Sequence, residues 1–155
     1  MPRSVLAGAK LPPYYAHLQT FARLREATSA ELPALLDLGR AAGAEEFDWE
    51  RALAESGRDI VLAYESDALI GAIVTERSGS LVSHVGWIGV ARSARRNGVG
   101  RLLIETAAEN ALTSGISILR FRRHLMGYGV HQLLTACGFE MTAIGYERQL
   151  HADRG

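Results

Sequence analysis

The sequence predicts one α/β domain built around a mixed central β-sheet flanked by helices, and two observations predict it. The first is size and composition. The chain has 155 residues, 48% of them hydrophobic and 22% charged; that suits a single globular core and is too apolar for a disordered chain. The second is order. Strand-like and helix-like patterns follow one another as β-α-α-β-β-β-α-β-α-β from Phe21 to Leu150, with no internal repeat and no linker.

Each element has a local reason. Residues 1–20 read as an arm: Pro12-Pro13 blocks a helix, and Tyr14-Tyr15 are placed to pack it onto the domain or onto a second copy in a homodimer. The domain then spans 21–155. FARLREA begins it, alternating apolar and basic residues as a half-buried strand does. Thr28 with Glu31 forms a capping-box pattern, and Pro33 falls in the first turn of the helix that follows, where a missing N–H costs least. Leu32, Leu35, Leu36 and Leu38 give that helix its apolar face. A second helix covers Phe47 to about Ser56 and stops at Gly57. Asp59–Glu65 and Ala68–Glu76 form a hairpin around Ser66-Asp67, and Ser83–Val90 is the fourth strand. A glycine-containing loop leads into the helical run RLLIETAAENALTS. Ile116–Phe121 is a fifth, central strand, GVHQLLTAC a short helix ended by Gly138, and Glu140–Leu150 the last strand or strands.

Composition excludes several classes. One cysteine, Cys137, rules out an internal disulfide framework and a multi-cysteine metal site, and fits a reducing compartment. Seventeen basic side chains balance seventeen acidic ones, so net charge favours neither nucleic acid nor an anionic membrane. His124 and His131 have no metal-ligand spacing, and no metal is expected. No segment reads as a signal peptide or membrane span, which makes the cytoplasm the default expectation.

The most informative stretch is Ile88 to Arg101. A strand ends at Val90, the loop carries Arg95-Arg96-Asn97-Gly98-Val99-Gly100, and a helix starts at once. Unpaired N–H groups at a helix N-terminus make an anion site. Gly98 and Gly100 let that backbone approach an anion without an intervening Cβ, and Arg95, Arg96 and Arg101 add charge suited to phosphate oxygens. Neither the P-loop nor the GxGxxG dinucleotide pattern is present. On the loop alone, a glycine-rich turn with solvated arginines is the competing reading.

In its context, R-x-x-G-x-G after a strand ending in Val, with a later Gly138-Phe139 step, resembles the GNAT-type N-acetyltransferase superfamily over residues 21–150. The resemblance implies a GNAT-like fold whose fourth and fifth strands splay apart. It implies acetyl-CoA as acyl donor and a primary amine, on a small molecule or a protein, as acceptor, with direct attack in a ternary complex. Ile88, Gly89 and Val90 would run beside the pantetheine arm, and Arg95, Arg96, Asn97, Gly98, Val99, Gly100 and Arg101 would take the pyrophosphate.

The family often places a general base on the fourth strand, and alignment on the loop puts that position at His84. Neutral imidazole accepts a proton near pH 7. Strand alternation puts His84 on one face with Gly86, Ile88 and Val90. A structural histidine is the alternative. Family members carry a thiolate-protonating Tyr five residues before the Phe of G-F, and here that position is Leu134; the frequent Asn at the start of that helix corresponds to Gly127. Tyr128 and Tyr146 are the candidate acids in their place, each also readable as a packing aromatic. Leu134 is expected to open toward the cofactor gap and to tolerate a tyrosine. Cys137 reads as a small buried hydrophobe.

Glu45, Glu46, Asp48 and Glu50 either attract a cationic acceptor or complement a helix N-terminus. Arg120, Arg122 and Arg123 read as a solvated face. Trp49 and Trp87 read as packing residues, Trp49 with a second reading as pocket lining. The departures at Leu134 and Gly127 leave a second function open, a domain that binds acetyl-CoA or CoA as a sensor without turnover.

Overall fold

A computed structural model describes residues 23–42, 47–95, 98–122, 130–142 and 145–151. The expected arm, together with Arg96, Asn97 and Tyr128, lies outside the described residues. Strand β1 (Arg23–Glu26) leads into a 3-10 turn (Ser29–Glu31) and helix α1 (Leu32–Ala41). The capping box is formed: Thr28 N–H donates to Glu31 Oε2 at 2.8 Å and the Thr28 hydroxyl sits 2.6 Å from the same oxygen. Glu31 is thereby buried at 7% exposure with its charge satisfied. Leu35 and Leu38 carry the buried face of α1, while Leu36 stays 39% exposed, one position off that stripe.

Helix α2 (Trp49–Ala54) is shorter than the expected 47–56. Asp48 caps it by accepting the Arg51 N–H at 3.0 Å. Strands β2 (Arg58–Glu65) and β3 (Ala68–Arg77) form the expected hairpin, with Ser66 in the left-handed region at its turn. Strand β4 (Val82–Val90) follows, then a 3-10 turn (Arg92–Ala94) and helix α3 (Val99–Thr113). Strand β5 (Ile118–Arg122) begins two residues later than expected. Helix α4 (Val130–Ala136) precedes two final strands, β6 (Glu140–Met141) and β7 (Gly145–Gln149).

Among the described residues seven strands line up as β1-β2-β3-β4-β5-β7-β6, with β4 and β5 alone running parallel. Helices α3 and α4 cover one face, where Leu102, Leu103, Ile104, Leu119, Phe121, Leu134 and Phe139 make the larger core. On the other face α1 and α2 cover β2 to β4 only, with Leu35, Leu38, Trp49, Leu62, Val74 and Trp87 buried between them. The rings of Phe47 and Trp49 lie 4.6 Å apart and those of Trp49 and Trp87 4.8 Å apart, both edge to face. Trp49 at 2% exposure packs within this layer.

The G-F step has a physical explanation in this fold. Gly138 takes φ +83°, its N–H bonds Thr135 O at 3.1 Å, and the Phe139 N–H bonds Leu134 O at 3.0 Å. That pair of bonds is a Schellman stop, in which the residues at either end of the longer bond pack together. Phe139 and Leu134 do so inside the larger core, at 4% and 0% exposure.

Candidate active site

The ladder between β4 and β5 has four rungs, Val82 with Ile118, Ser83 with Leu119, His84 with Arg120 and Val85 with Phe121. Beyond Val85, β4 continues to Val90 and, among the described residues, pairs there with β3 alone. The two strands therefore part where the resemblance implies they should. On the open side of β4 the backbone must find partners outside the sheet. Ala91 N–H bonds Ile70 O at 2.7 Å, and antiparallel alternation then directs Trp87 and Gly89 toward β3 and the backbone groups of Ile88 and Val90 toward the gap. An extended ligand laid along that edge meets the same donors and acceptors as an added strand.

One expectation about this strand is corrected. The register slips between Val74 and Thr75, which face Trp87 and Val85, so Gly86 is an extra residue, a β-bulge. A regular pleat would hold residues 84, 86, 88 and 90 on one face. With the bulge, Val85, Ile88 and Val90 all turn to the α3 side, and Trp87 packs with α1 and α2. His84, opposite Val85 in the pleat, lies on the Trp87 face and not with Ile88 and Val90. Trp87 folds back along its own strand so far that a Cβ at Gly89 would stand 2.3 Å from its ring, so only glycine fits at 89.

The phosphate loop starts where β4 ends. Arg95 Nε donates to Val90 O at 3.1 Å, strapping the exposed loop to the strand. Gly98 stands at φ +81° immediately before α3, a conformation costly for residues with a Cβ, and caps the helix. The first-turn N–H groups of a 15-residue helix thus begin at the loop, with the positive end of its dipole. Gly100 has a packing reason beside the expected one: a Cβ there would lie 3.2 Å from Leu133 Cδ2 of α4. Arg101 directs a guanidinium nitrogen at Ala136 O, 3.5 Å away, toward the end of α4.

His84 is half-buried at the last rung but one before the gap. The acid candidates fare differently from the base. Tyr146 is 5% exposed within the larger core, on the opposite face of the sheet from His84. Leu134 does not open toward the gap as expected; it is fully buried, because the Schellman stop folds it under Phe139. Burial pushes the Cys137 thiol up to about 11, with Glu105 adding to the rise and Arg101 and Arg148 opposing it. Cys137 is therefore protonated and inert at neutral pH, a small hydrophobe as expected. Asp48 is spent on the α2 cap, and Glu45 and Glu46 lie outside the described residues.

Among the described residues no group of three or more His, Cys, Asp or Glu side chains is placed to hold a metal ion, and no helix is long and apolar enough to cross a membrane.

The model of the acetyltransferase (GNAT) family matches residues 21–139. No curated protein sequence matches the chain. Solved structures do match in fold. Ard1 from Thermoplasma volcanium has a TM-score of 0.73 at 15% identity, over 85% of this chain and 99% of that one. The ribosomal-protein-S18-alanine N-acetyltransferase from Escherichia coli has 0.71 at 16%, over 86% and 97%. The PaiA N-acetyltransferase from Thermoplasma acidophilum, solved in complex with coenzyme A, has 0.69 at 14%, over 83% and 98%.

Proposed function

The chain belongs to the GNAT acetyltransferase family, and from that premise we propose that it transfers the acetyl group of acetyl-CoA to a primary amine by direct attack within a ternary complex. The observation that carries the reading is continuity. The edge of β4 at Ile88 and Val90, beyond its ladder to β5, runs into the left-handed Gly98 and the N-terminus of α3. One extended ligand with an amide-rich arm and a pyrophosphate is matched by both in sequence. The residues present fit coenzyme A: Ile88, Gly89 and Val90 for the arm, Gly98, Val99 and Gly100 for the phosphates, Arg95 holding the loop. Arg96 and Asn97 are assigned by sequence position alone.

The chemistry asked of the chain is modest. An alkylammonium has a pKa near roughly 10.4, so making it neutral at pH 7 costs about 4.6 kcal/mol. In the proposed step His84 accepts that proton directly or through one water. The amine nitrogen then forms its bond to the thioester carbonyl carbon and the carbon–sulfur bond breaks. The nitrogen sheds its second proton as the amide forms, and the departing thiolate takes up that proton relayed by water, because Leu134 offers no hydroxyl and that of Tyr146 is buried. Tyr128 keeps its candidacy by sequence position.

That burial of Leu134 is the observation favouring a second reading, a CoA-binding module without turnover. One experiment separates the two. Thiol release from acetyl-CoA with a panel of amines, beside calorimetry of acetyl-CoA binding, should show acceptor-dependent release. His84→Ala should lower kcat by roughly a hundredfold and leave cofactor affinity unchanged. The acidic limb of the pH–rate profile should disappear with it. Binding without acceptor-dependent release makes the chain a module, and a folded His84→Ala protein with parental rate and profile makes His84 structural.

A further inference from the structure

The rung that holds His84 extends across most of the sheet. Arg58 of β2 pairs with Glu76 of β3, Glu76 with His84, His84 with Arg120, Arg120 with Glu147 of β7, and Glu147 with Glu140 of β6. On β5, Leu119 and Phe121 point into the larger core, so Arg120 points to the opposite face, the one His84 occupies. Among the described residues no helix packs on that face beyond β4, and Arg120 and Glu147 there are 36% and 25% exposed.

The charges in this row are not equivalent. Glu76 is engaged by Arg58 at 3.3 Å. Glu147 accepts from Arg120 Nε at 3.4 Å and from Gln149 Nε2 at 3.3 Å. Both carboxylates nearest His84 therefore already have a donor. Among the described residues Arg120 is held through Nε alone, and its two terminal nitrogens have no partner. A guanidinium steadied at Nε presents its Nη edge as a planar fork, the geometry that matches a carboxylate. Neighbouring strands lie about 4.8 Å apart, so an anion on that fork lies within a few bonds of an amine held over His84.

We propose that Arg120 is the specificity-determining residue of the acceptor site, and that the acceptor is an amine bearing a carboxylate, of the amino acid type. The proposal rests on the N-acetyltransfer reading. It opposes the cationic acceptor that the acidic residues around α2 suggested, of which Asp48 serves as a helix cap.

The test uses the full chain with acetyl-CoA and a set of L-amino acids and β-alanine, each beside its own carboxamide, together with spermidine as an amine without an anion. Amidating the carboxylate should lower kcat/KM by about tenfold or more, chiefly through KM. Arg120→Gln should abolish the preference, and Arg120→Lys should restore part of it. Glu147→Gln gives a reading should Arg120→Gln fail to fold: loosening Arg120 should raise KM for the acid several-fold and leave that for the amide in place. Acetylation of spermidine or the amides in preference to every acid leaves the transferase reading standing and overturns this proposal, as does a preference that survives in Arg120→Gln. Bound acetyl-CoA with no amine acetylated defeats both.

Discussion

Replacing Leu134 by tyrosine asks whether the family's thiolate-protonating position can be refilled in this chain. Leu134 is completely buried and touches the larger core from the last turn of α4, where its carbonyl is tied to the Phe139 N–H. The backbone at that position is thus fixed, and the side chain cannot swing out without breaking the helix stop. A tyrosine there must overpack the site, at about 1–3 kcal/mol, and bury a hydroxyl lacking a designed partner, at about 1–3 kcal/mol more. For a domain of this size a loss in the middle of that range lowers Tm by about 10 °C. Leu134→Met, which conserves volume, should cost under about 1.5 kcal/mol and serves as the control. Differential scanning calorimetry and kcat measured on the same preparations give the answer. Melting within about 2 °C of the parent, together with a raised kcat, would refute the reasoning and show that this position faces the thioester.

Gly100→Val should weaken acetyl-CoA binding at least tenfold, about 1.4 kcal/mol, and should also melt lower through its contact with Leu133. Adding Leu133→Ala should recover the melting temperature but not the affinity; recovery of both would make Gly100 a packing residue only, and unchanged affinity in the folded single variant would remove the phosphate assignment. For Cys137 the sign follows from its raised native pKa of about 11. The unfolded thiol loses its proton near roughly 8.5, so above that pH the unfolded state binds fewer protons and stability falls until about pH 11. Urea midpoints of the parent should therefore decline more steeply between pH 8 and 10 than those of Cys137→Ala, and parallel slopes would show that the thiol is solvated.

Local chemistry was legible and long-range placement was not. The Thr28–Glu31 box, the Ser66-Asp67 turn and the Gly138 stop each depend on a few adjacent residues and appear where the sequence puts them, whereas α3 begins at Val99, two residues before the expected start, so that Gly100 sits in the helix and not in the loop. The splayed strands came from resemblance, and the four-rung ladder bears them out. The face occupied by His84 was misread because period-two counting assumes an unbroken pleat. An isolated glycine inside a strand pattern, Gly86, was the available signal for a bulge. Leu134 was expected to open toward the gap from its count alone, but its orientation depends on the helix stop, which packs it against Phe139. Arg120 looked like one of three arginines on a solvated face. Its neighbours His84 and Glu147 stand 36 and 27 positions away, and only register reveals them.

The extra residue at Gly86 also decides where β4 tolerates a change of length. Excising it would make Val85 and Trp87 consecutive; they already face opposite sides and already stand opposite Thr75 and Val74, so both flanks would keep their faces and the ladder would close into a regular pleat. Removing Ile88 instead would leave no spare residue to absorb the loss and would turn every side chain on one flank over, driving part of one hydrophobic layer into the other. Length in this strand is thus adjustable at a single position and fixed at its neighbours.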